Sequence, residues 1–270
     1  MNSKSSNSVL PEPSPELANA TAPRQIVVGD VHGHYDGLMQ LLDYLDLGET
    51  DEVYFLGDLV DRGPKSAQVV EFVKNSSYRC ILGNHEHMML SALPDQGENP
   101  QAWQAWLYSG GYATISSYQD AGIIPREHLQ WMKTLPLYID LGGAWLVHAG
   151  IHPTIPLTKQ AATEFCWVRK EFHQIAKPYF ENKLVIVGHT ITFTFEGVES
   201  GALVQGQGWL GIDTGVYHAR SGWLTGLDLT HQKVYQVNVL HPAKRQLPLE
   251  EAITNFKRPS LLTRLRPGKL

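Results

Sequence analysis

Cysteine is scarce in this chain of 270 residues, which contains only Cys80 and Cys166. Two cysteines are too few for the disulfide framework of a small secreted domain and too few for a zinc site built from thiolates. Cys80 lies within an apolar run, and Cys166 lies beside Trp167. We therefore expect both to be buried free thiols.

Long apolar runs are also absent. No stretch approaches the about 18 consecutive apolar residues that a membrane-spanning helix requires, and residues 1–22 lack the continuous apolar segment of a signal peptide. The formal net charge of −5 provides no general attraction to nucleic acid or to anionic membranes. The sequence therefore predicts a cytoplasmic protein that has neither nucleic acid nor membrane as a partner.

Composition divides the chain into three parts. Residues 1–22 are rich in Ser, Asn, Pro and Ala without apolar periodicity, which predicts a disordered N-terminal tail. Residues 241–270 hold seven Lys and Arg against two Glu and predict a basic C-terminal tail. Residues 23–240 form the predicted folded domain, with a helical insertion rich in Trp, Met and Tyr at about 85–135 that we interpret as a lid or flank.

Strands and helices alternate in the first third of the domain. The segments "RQIVVGD" and "EVYFLGD" each predict a buried strand that ends in Gly-Asp and precedes an amphipathic helix, and "YRCILGNHE" predicts a third strand. Two consecutive crossover units indicate parallel strands and an α/β layered fold. The later segments "LYIDLGGAWLVHAG", "KLVIVGHT", "GWLGIDTG" and "WLTGLDLTHQKVYQVNV" predict a mixed or antiparallel sheet packed on the first.

Polar side chains follow five of the predicted strands. They are Asp30, His32, Asp58, Asn84, His85, His148 and His189. A single histidine in such a position is more often a satisfied core residue than a ligand, but five strand ends agree here. The carboxyl ends of parallel strands meet at one sheet edge, where buried carboxylates and imidazoles repel each other or stay unsatisfied without a cation. Oxygen and imidazole ligands suit Mn, Fe, Co or Zn.

Six candidate ligands are more than one ion with an open coordination position needs, which favours a centre of two ions. Asp58 is the middle ligand of the series and the natural bridge between them. In such a centre the ions lie about 3.5–4 Å apart, and a water between them becomes a strong nucleophile.

The series "GDVHG", "GDLVDRG", "GNHE", "VHAG" and "GHT" resembles the signature of the metallophosphoesterase superfamily, in particular its phosphoprotein phosphatase branch. The segments "GNHEHMML", "WLYSGG", "FCWVRKEF" and "IDTGVYHARSGWLTGL" resemble the small bacterial and bacteriophage lambda type of protein phosphatase. The resemblance covers about residues 24–230. It implies an α/β/β/α sandwich of two mixed sheets with flanking helices, so that residues 23–240 would be the catalytic domain.

The resemblance also implies roles for individual residues. The first metal ion would be held by Asp30, His32 and Asp58. The second would be held by Asp58, Asn84, His148 and His189. We expect manganese as the divalent metal in both positions, with iron, zinc or cobalt as alternatives.

Four further residues match catalytic positions of the family. His85 would donate a proton to the leaving oxygen, and Asp61 would orient it. Arg62 and Arg169 would hold the phosphate oxygens, for which the planar guanidinium fork is well suited. The assignment of Arg169 depends on the short segment "WVRK".

The resemblance implies a serine/threonine protein phosphatase, with tyrosine as a further substrate, that acts by direct attack of the bridging water. Its expected partners are phosphorylated proteins or peptides, without an obligatory regulatory subunit. One alternative is a symmetric diadenosine tetraphosphate hydrolase or another nucleotide phosphoesterase. Relatives of that kind lack the Asp of "VDRG" and carry Asp for the Glu of "GNHE", whereas this chain has Asp61 and Glu86. The remaining alternative is a phosphate-binding scaffold without activity.

Overall fold

The computed structural model describes residues 23–118 and 124–256, so the tail predicted at residues 1–22 lies outside the described residues. The strands are β1 Gln25–Val28, β2 Glu52–Phe55, β3 Arg79–Cys80, β4 Tyr138–Asp140, β5 Ala144–Val147, β6 Leu184–Val187, β7 Leu203–Gly206, β8 Trp209–Gly211, β9 Trp223–Asp228, β10 Lys233–Asn238, β11 Ala243–Pro248 and β12 Ile253–Asn255.

The helices flank these strands or lie between them. They are α1 Tyr35–Leu45, α2 Ser66–Asn75, α3 Asn84–Ala92, α4 Pro100–Trp106, α5 Tyr112–Ser117, α6 Arg126–Lys133, α7 Ala162–Phe165, α8 Lys170–His173 and α9 Leu249–Ala252. The segment Leu107–Gly111 connects α4 to α5 and contains a kink at Gly110, whose φ of 120° is not helical. In the described ranges, no helix has both the length and the apolar character needed to cross a membrane.

The strands form two six-stranded mixed sheets. The order of the first sheet is β11-β10-β9-β1-β2-β3, and the order of the second is β12-β7-β8-β6-β5-β4. The pairs β1–β2 and β2–β3 are parallel, as the crossover units predict, and so are β5–β6 and β6–β8. Helices pack on the outer face of each sheet. The predicted α/β/β/α sandwich is confirmed.

Strand alternation builds this layered core. In β1, Ile26 and Val28 face α1 and α2, whereas Val27 faces the second sheet, as the period of two in a strand requires. Helix α1 buries Leu38 and Leu41, one turn apart on a single face, against the first sheet. Apolar side chains from both sheets therefore form a single layer between the sheets.

Helices α3 to α6 occupy the segment predicted as a helical insertion. They enclose a small core of their own around Met89, Trp106 and Met132. Val60, from the loop after β2, belongs to the same core. The insertion is thus packed directly onto a loop that carries predicted site residues.

Two of the strands predicted for the second sheet, β9 and β10, belong to the first sheet, which corrects the predicted division of the chain. β9 pairs antiparallel with β1, where Leu227 lies opposite Val27, and β10 pairs with β9. The alternating pattern of a hairpin specifies which side chains are buried but not which sheet edge the hairpin joins. Here the hairpin of β9 and β10 joins the first sheet by pairing with β1 on the side away from β2.

The segment after residue 241 also differs from the predicted tail. Residues 243–248 form β11 at the edge of the first sheet, and residues 253–255 form β12 at the edge of the second. Leu249 and Ala252 of the intervening helix α9 are buried in the layer between the sheets. Burial of these apolar side chains outweighs the basic composition, and the folded domain extends to residue 256. Residues 257–270 lie outside the described residues.

We expect Leu249→Ala to lower the free energy of unfolding by about 2–4 kcal/mol, because it leaves a cavity in the layer between the sheets. Denaturant unfolding of the purified protein measures this change. Glu250→Ala on the exposed face of the same helix is the matched control and should change it by less than about 0.5 kcal/mol. Equal, small effects of both substitutions would show that this segment is not part of the folded core.

Candidate metal centre

The polar strand ends converge at one edge of the sandwich. Asp30 and His32 follow β1, Asp58 follows β2, and Asn84 begins α3 directly after the third strand. The second sheet contributes two more side chains, His148 after β5 and His189 after β6. All of the predicted metal ligands are buried: Asp30, His32, Asp58, Asn84, His148 and His189.

Asp58 lies at the centre of this group. Its carboxylate oxygens are 3.7 Å from His32 Nε2 and 3.4 Å from His148 Nε2. The backbone N–H of His85 donates to Asp58 Oδ1 at 2.9 Å. Asp58 adopts a left-handed backbone conformation, with φ of 49°, directly after Gly57. A sharp turn at the end of β2 therefore places this carboxylate between ligands from both sheets.

The tautomer of His148 tests whether a cation fits here. Its Nδ1 lies 2.7 Å from the carbonyl oxygen of Leu56, so Nδ1 carries the proton and donates it. Burial lowers the pKa of His148, which keeps the ring neutral and leaves a lone pair on Nε2. That lone pair faces Asn84 Oδ1 at 2.8 Å and Asp58 Oδ1 at 3.4 Å. A nitrogen lone pair facing two oxygens is the environment of a metal ion.

His32 shows the same arrangement on the other side of Asp58. Its Nδ1 donates to the carbonyl oxygen of Val60 at 2.9 Å, and burial lowers its pKa well below the ordinary value. Its Nε2 therefore faces the carboxylates of Asp58 and Asp30, at 3.7 and 4.0 Å. Arg62 Nη1 donates to the same Nε2 at 2.9 Å. The structure thus directs positive charge at this lone pair.

His189 completes the second group. Its Nδ1 lies 2.7 Å from Asn84 Oδ1, and its Nε2 is buried without a hydrogen-bond partner. Potential ligand atoms of Asp58, His148 and His189 all lie within 4.8 Å of one another, as do those of His32, Asp58 and His85. The donors are oxygens and imidazole nitrogens, so they fit two divalent ions that share Asp58. The identity of each ligand remains a prediction.

Excess negative charge at this edge of the sandwich is a second indication that cations bind here. Burial, together with the carboxylates of Asp213 and Asp58, raises the pKa of Asp30 well above its ordinary value. Burial also raises the pKa of Asp213 to about 6, and Asp58 contributes to that rise. Divalent cations would relieve this repulsion.

Our residue assignments omitted Asp213, although it follows a predicted strand, "GWLGID", in the same way as the assigned carboxylates.

The predicted pair of catalytic residues is in direct contact. His85 Nδ1 donates to Asp61 Oδ2 at 2.6 Å, and both side chains are buried. This hydrogen bond fixes the tautomer and the plane of the ring. His85 Nε2 then faces the metal-ligand cluster, 3.9 Å from Asp58 Oδ2. The ring is therefore placed to exchange a proton with a group bound at the cluster.

The two predicted phosphate-binding arginines approach the cluster from different elements. The Arg62 guanidinium lies over the ring of Tyr217, 4.2 Å from its centroid, and makes no hydrogen bond to the neighbouring Asp61. Arg169 Nη1 donates to Thr190 Oγ1 at 2.7 Å and to the carbonyl oxygen of His189 at 3.3 Å. Both cations lie where an anion at the cluster would meet them.

Glu86 has a role that our residue assignments omitted. Its carboxylate accepts hydrogen bonds from the backbone N–H groups of Asp58 at 2.8 Å, Leu59 at 2.8 Å and Val60 at 3.2 Å. It also accepts from the N–H of Gly83 at 3.1 Å. The Glu of "GNHE" thus holds the loop after β2 in place. Glu86 is the third residue of α3, and its bond from the N–H of Gly83, the residue before the helix, is one half of a capping box.

Comparison with known proteins identifies the family. A family model of calcineurin-like phosphoesterases matches residues 23–204. The symmetrical bis(5'-nucleosyl)-tetraphosphatase of Neisseria gonorrhoeae is 32% identical over 135 residues, which is 49% of this chain and 45% of that protein. The chain thus spans about half the length of the curated relatives it matches.

Two solved structures share the fold. The metallophosphoesterase from Sphaerobacter thermophilus superposes with a TM-score of 0.53 at 22% identity and covers 81% of this chain and 88% of its own. A protein serine/threonine phosphatase from Saccharomyces cerevisiae superposes with a TM-score of 0.52 at 15% identity. The superposition covers 85% of this chain and 81% of that protein's chain. Identities this low show a common fold and nothing about the substrate.

These findings correct one prediction and support a broader one. Phosphorylated proteins or peptides were the expected partners, and that prediction is wrong, because the curated relative is named for dinucleoside tetraphosphates. The prediction of a dinuclear metal-dependent phosphoesterase agrees with the family match and with the two ligand groups around Asp58. The family match covers residues 23–204, and on this basis the chain belongs to the calcineurin-like phosphoesterase family.

Proposed function

We propose that this chain hydrolyses dinucleoside tetraphosphates symmetrically into two nucleoside diphosphates. Water attacks one of the two central phosphorus atoms, the bond from that phosphorus to the central bridging oxygen breaks, and the departing diphosphate takes up a proton. The observation that carries the proposal is the buried Asp58 cluster, bordered by Arg62 and Arg169. The named substrate of the relative from Neisseria gonorrhoeae supports the choice of a nucleotide.

Each part of the site has a separate task in this reaction. Asp30, His32, Asp58, Asn84, His148 and His189 would hold the metal ions. The bound ions would neutralise phosphoryl charge and lower the pKa of the attacking water. Arg62 and Arg169 would hold non-bridging oxygens of the tetraphosphate, and their planar forks suit this task better than lysines.

His85 is the proposed proton donor. Its Nδ1–H donates to Asp61 at 2.6 Å, so Nε2 is the nitrogen that faces the Asp58 cluster and would face a phosphate bound there. As the proton donor, His85 would carry a proton on both nitrogens, and the buried carboxylate of Asp61 would hold the one on Nδ1. The proton on Nε2 then passes to the leaving oxygen as the P–O bond breaks.

Trp167 offers a surface for a nucleobase. Trp167 is 39% exposed. The ring centroid lies 6.4 Å from that of His189 and 6.4 Å from that of His87, whose Nδ1 accepts a hydrogen bond from the indole Nε1 at 3.3 Å. The indole is thus held beside the cluster with one part open to solvent. A base stacked there would leave its phosphates close to Arg169.

The substrate assignment is tested with the purified full chain loaded with manganese. We expect diadenosine tetraphosphate to give ADP as the only nucleotide product, with a kcat/KM at least about 100-fold above that for p-nitrophenyl phosphate. The physical reason is that the nucleobase and the additional phosphates supply binding that the aryl ester lacks. Formation of ATP and AMP, or a higher kcat/KM for the aryl ester, would contradict the proposal.

We expect His85→Asn to lower kcat for diadenosine tetraphosphate by about 10²–10⁴-fold, the usual contribution of general acid catalysis, while the metal content stays unchanged. Steady-state kinetics and elemental analysis measure the two quantities. Asp58→Asn is the contrasting variant, because it removes the charge that two ions would share, and it should lose both metal and activity. If His85→Asn also lost its metal, the residue would be a ligand and not the acid.

We expect Trp167→Ala to raise KM for diadenosine tetraphosphate about 10-fold, since base–aromatic stacking contributes about 1–3 kcal/mol. Its KM for p-nitrophenyl phosphate should change by less than about 2-fold. Trp167→Phe keeps an aromatic face and is the matched control, with an intermediate KM for the dinucleotide. An equal rise of KM for both substrates would place the indole away from the base.

A further inference from the structure

The helical insertion makes direct contact with the partner of the proposed acid. Trp106, the last residue of α4, donates from Nε1 to both carboxylate oxygens of Asp61 at 3.0 Å. Thr114 of α5 donates from Oγ1 to Asp61 Oδ1 at 2.6 Å. With His85, the Asp61 carboxylate therefore has three side-chain donors, and two of them come from the insertion.

The insertion also holds the backbone at this point. Asp61 and Arg62 adopt consecutive left-handed conformations, with φ of 72° and 69°, which are costly for residues other than glycine. The N–H of Asp61 donates to Thr114 Oγ1 at 2.8 Å, and the N–H of Arg62 donates to the carbonyl oxygen of Gly110 at 3.2 Å. The Thr114 hydroxyl thus both donates to and accepts from the same aspartate.

Two glycines allow the insertion to come this close. A Cβ on Gly110 would lie 2.8 Å from Arg62 Cγ, and Gly110 has a φ of 120° that other residues rarely adopt. A Cβ on Gly111 would lie 2.7 Å from the ring of Trp106. Both glycines belong to the segment Leu107–Gly111, where the chain kinks between α4 and α5.

Packing alone does not explain these contacts. Trp106 is fully buried beside Met89, and a phenylalanine would fill most of that space. The indole N–H, however, points at a carboxylate that is itself fully buried. In a buried environment, such a hydrogen bond to a charged group strongly restricts where the carboxylate lies.

We propose that Trp106 and Thr114 are positioning residues for proton transfer. They hold the Asp61 carboxylate so that Oδ2 stays at hydrogen-bond distance from His85 Nδ1, which orients Nε2 toward the leaving oxygen. Neither residue touches substrate. The insertion is therefore part of the catalytic apparatus and not only a lid or flank. This inference depends on the proposed role of His85 as the acid.

The test uses two aryl esters that differ in how much they need an acid. Phenolate is a poor leaving group and requires protonation, whereas p-nitrophenolate leaves without it. We expect Trp106→Phe to lower kcat/KM for phenyl phosphate about 10-fold and that for p-nitrophenyl phosphate less than about 2-fold, with metal content and thermal melting close to those of the unchanged protein.

Trp103→Phe is the matched control. Its ring lies 5.5 Å from that of Trp106 on the same helix, and it is not among the donors to Asp61. It should leave the ratio of the two kcat/KM values unchanged. Thr114→Val should reproduce the effect of Trp106→Phe, and Thr114→Ser, which keeps the hydroxyl, should restore the ratio.

Equal losses on both esters, or no loss on either, would overturn the inference, because a purely structural role does not distinguish leaving groups. His85→Asn separates this failure from failure of the acid assignment. If His85→Asn shows the leaving-group dependence and neither Trp106→Phe nor Thr114→Val does, only the positioning role is wrong. If kcat/KM of His85→Asn shows no dependence on the leaving group, the assignment of His85 as the acid is itself wrong. In the His85→Asn background, Trp106→Phe should cause no further change of the ratio.

Discussion

Buried negative charge at one edge of the sandwich is the constraint on which the rest of the site depends. Asp58 is 2% exposed, and Asp30 and Asp213 lie buried near it. Neutral imidazoles of both sheets direct lone pairs at this group, so the protein itself provides too little positive charge for it. The layers that exclude water are also the layers that create the need for cations. Fold and metal centre therefore have one common cause.

The convergence of the predicted ligands could be predicted because it depends on local rules. The residues that follow parallel strands meet at one sheet edge, so Asp30, Asp58 and Asn84 were placed together from their spacing along the chain. The donors from the insertion were not predictable in the same way. Trp106 and Thr114 are 45 and 53 residues from Asp61, and their contact depends on how four helices pack. The same reason explains why the hairpin of β9 and β10 was placed in the wrong sheet.

The substrate prediction failed for a reason that the structure makes clear. It depended on Asp61 and Glu86, two acidic residues taken as signs of a protein phosphatase. Both are fully buried and point inward, Asp61 at His85 and Glu86 at the amides of the loop after β2. Neither side chain is exposed, so neither is available to contact the part of a substrate that carries the phosphate. Exposed side chains near the cluster, such as Trp167, are available for that contact.

The short connection from β11 through α9 to β12 has a mechanical consequence for the centre. These strands are four residues apart in sequence, yet they border opposite sheets. This short segment thus connects an edge strand of one sheet to an edge strand of the other, and Leu249 packs in the apolar layer between the sheets. Sliding of one sheet over the other would separate Asp58, after a strand of the first sheet, from His148, after a strand of the second. The short connection through α9 opposes such sliding. The relative position of the two halves of the candidate centre is consequently maintained by a segment that carries none of its predicted ligands.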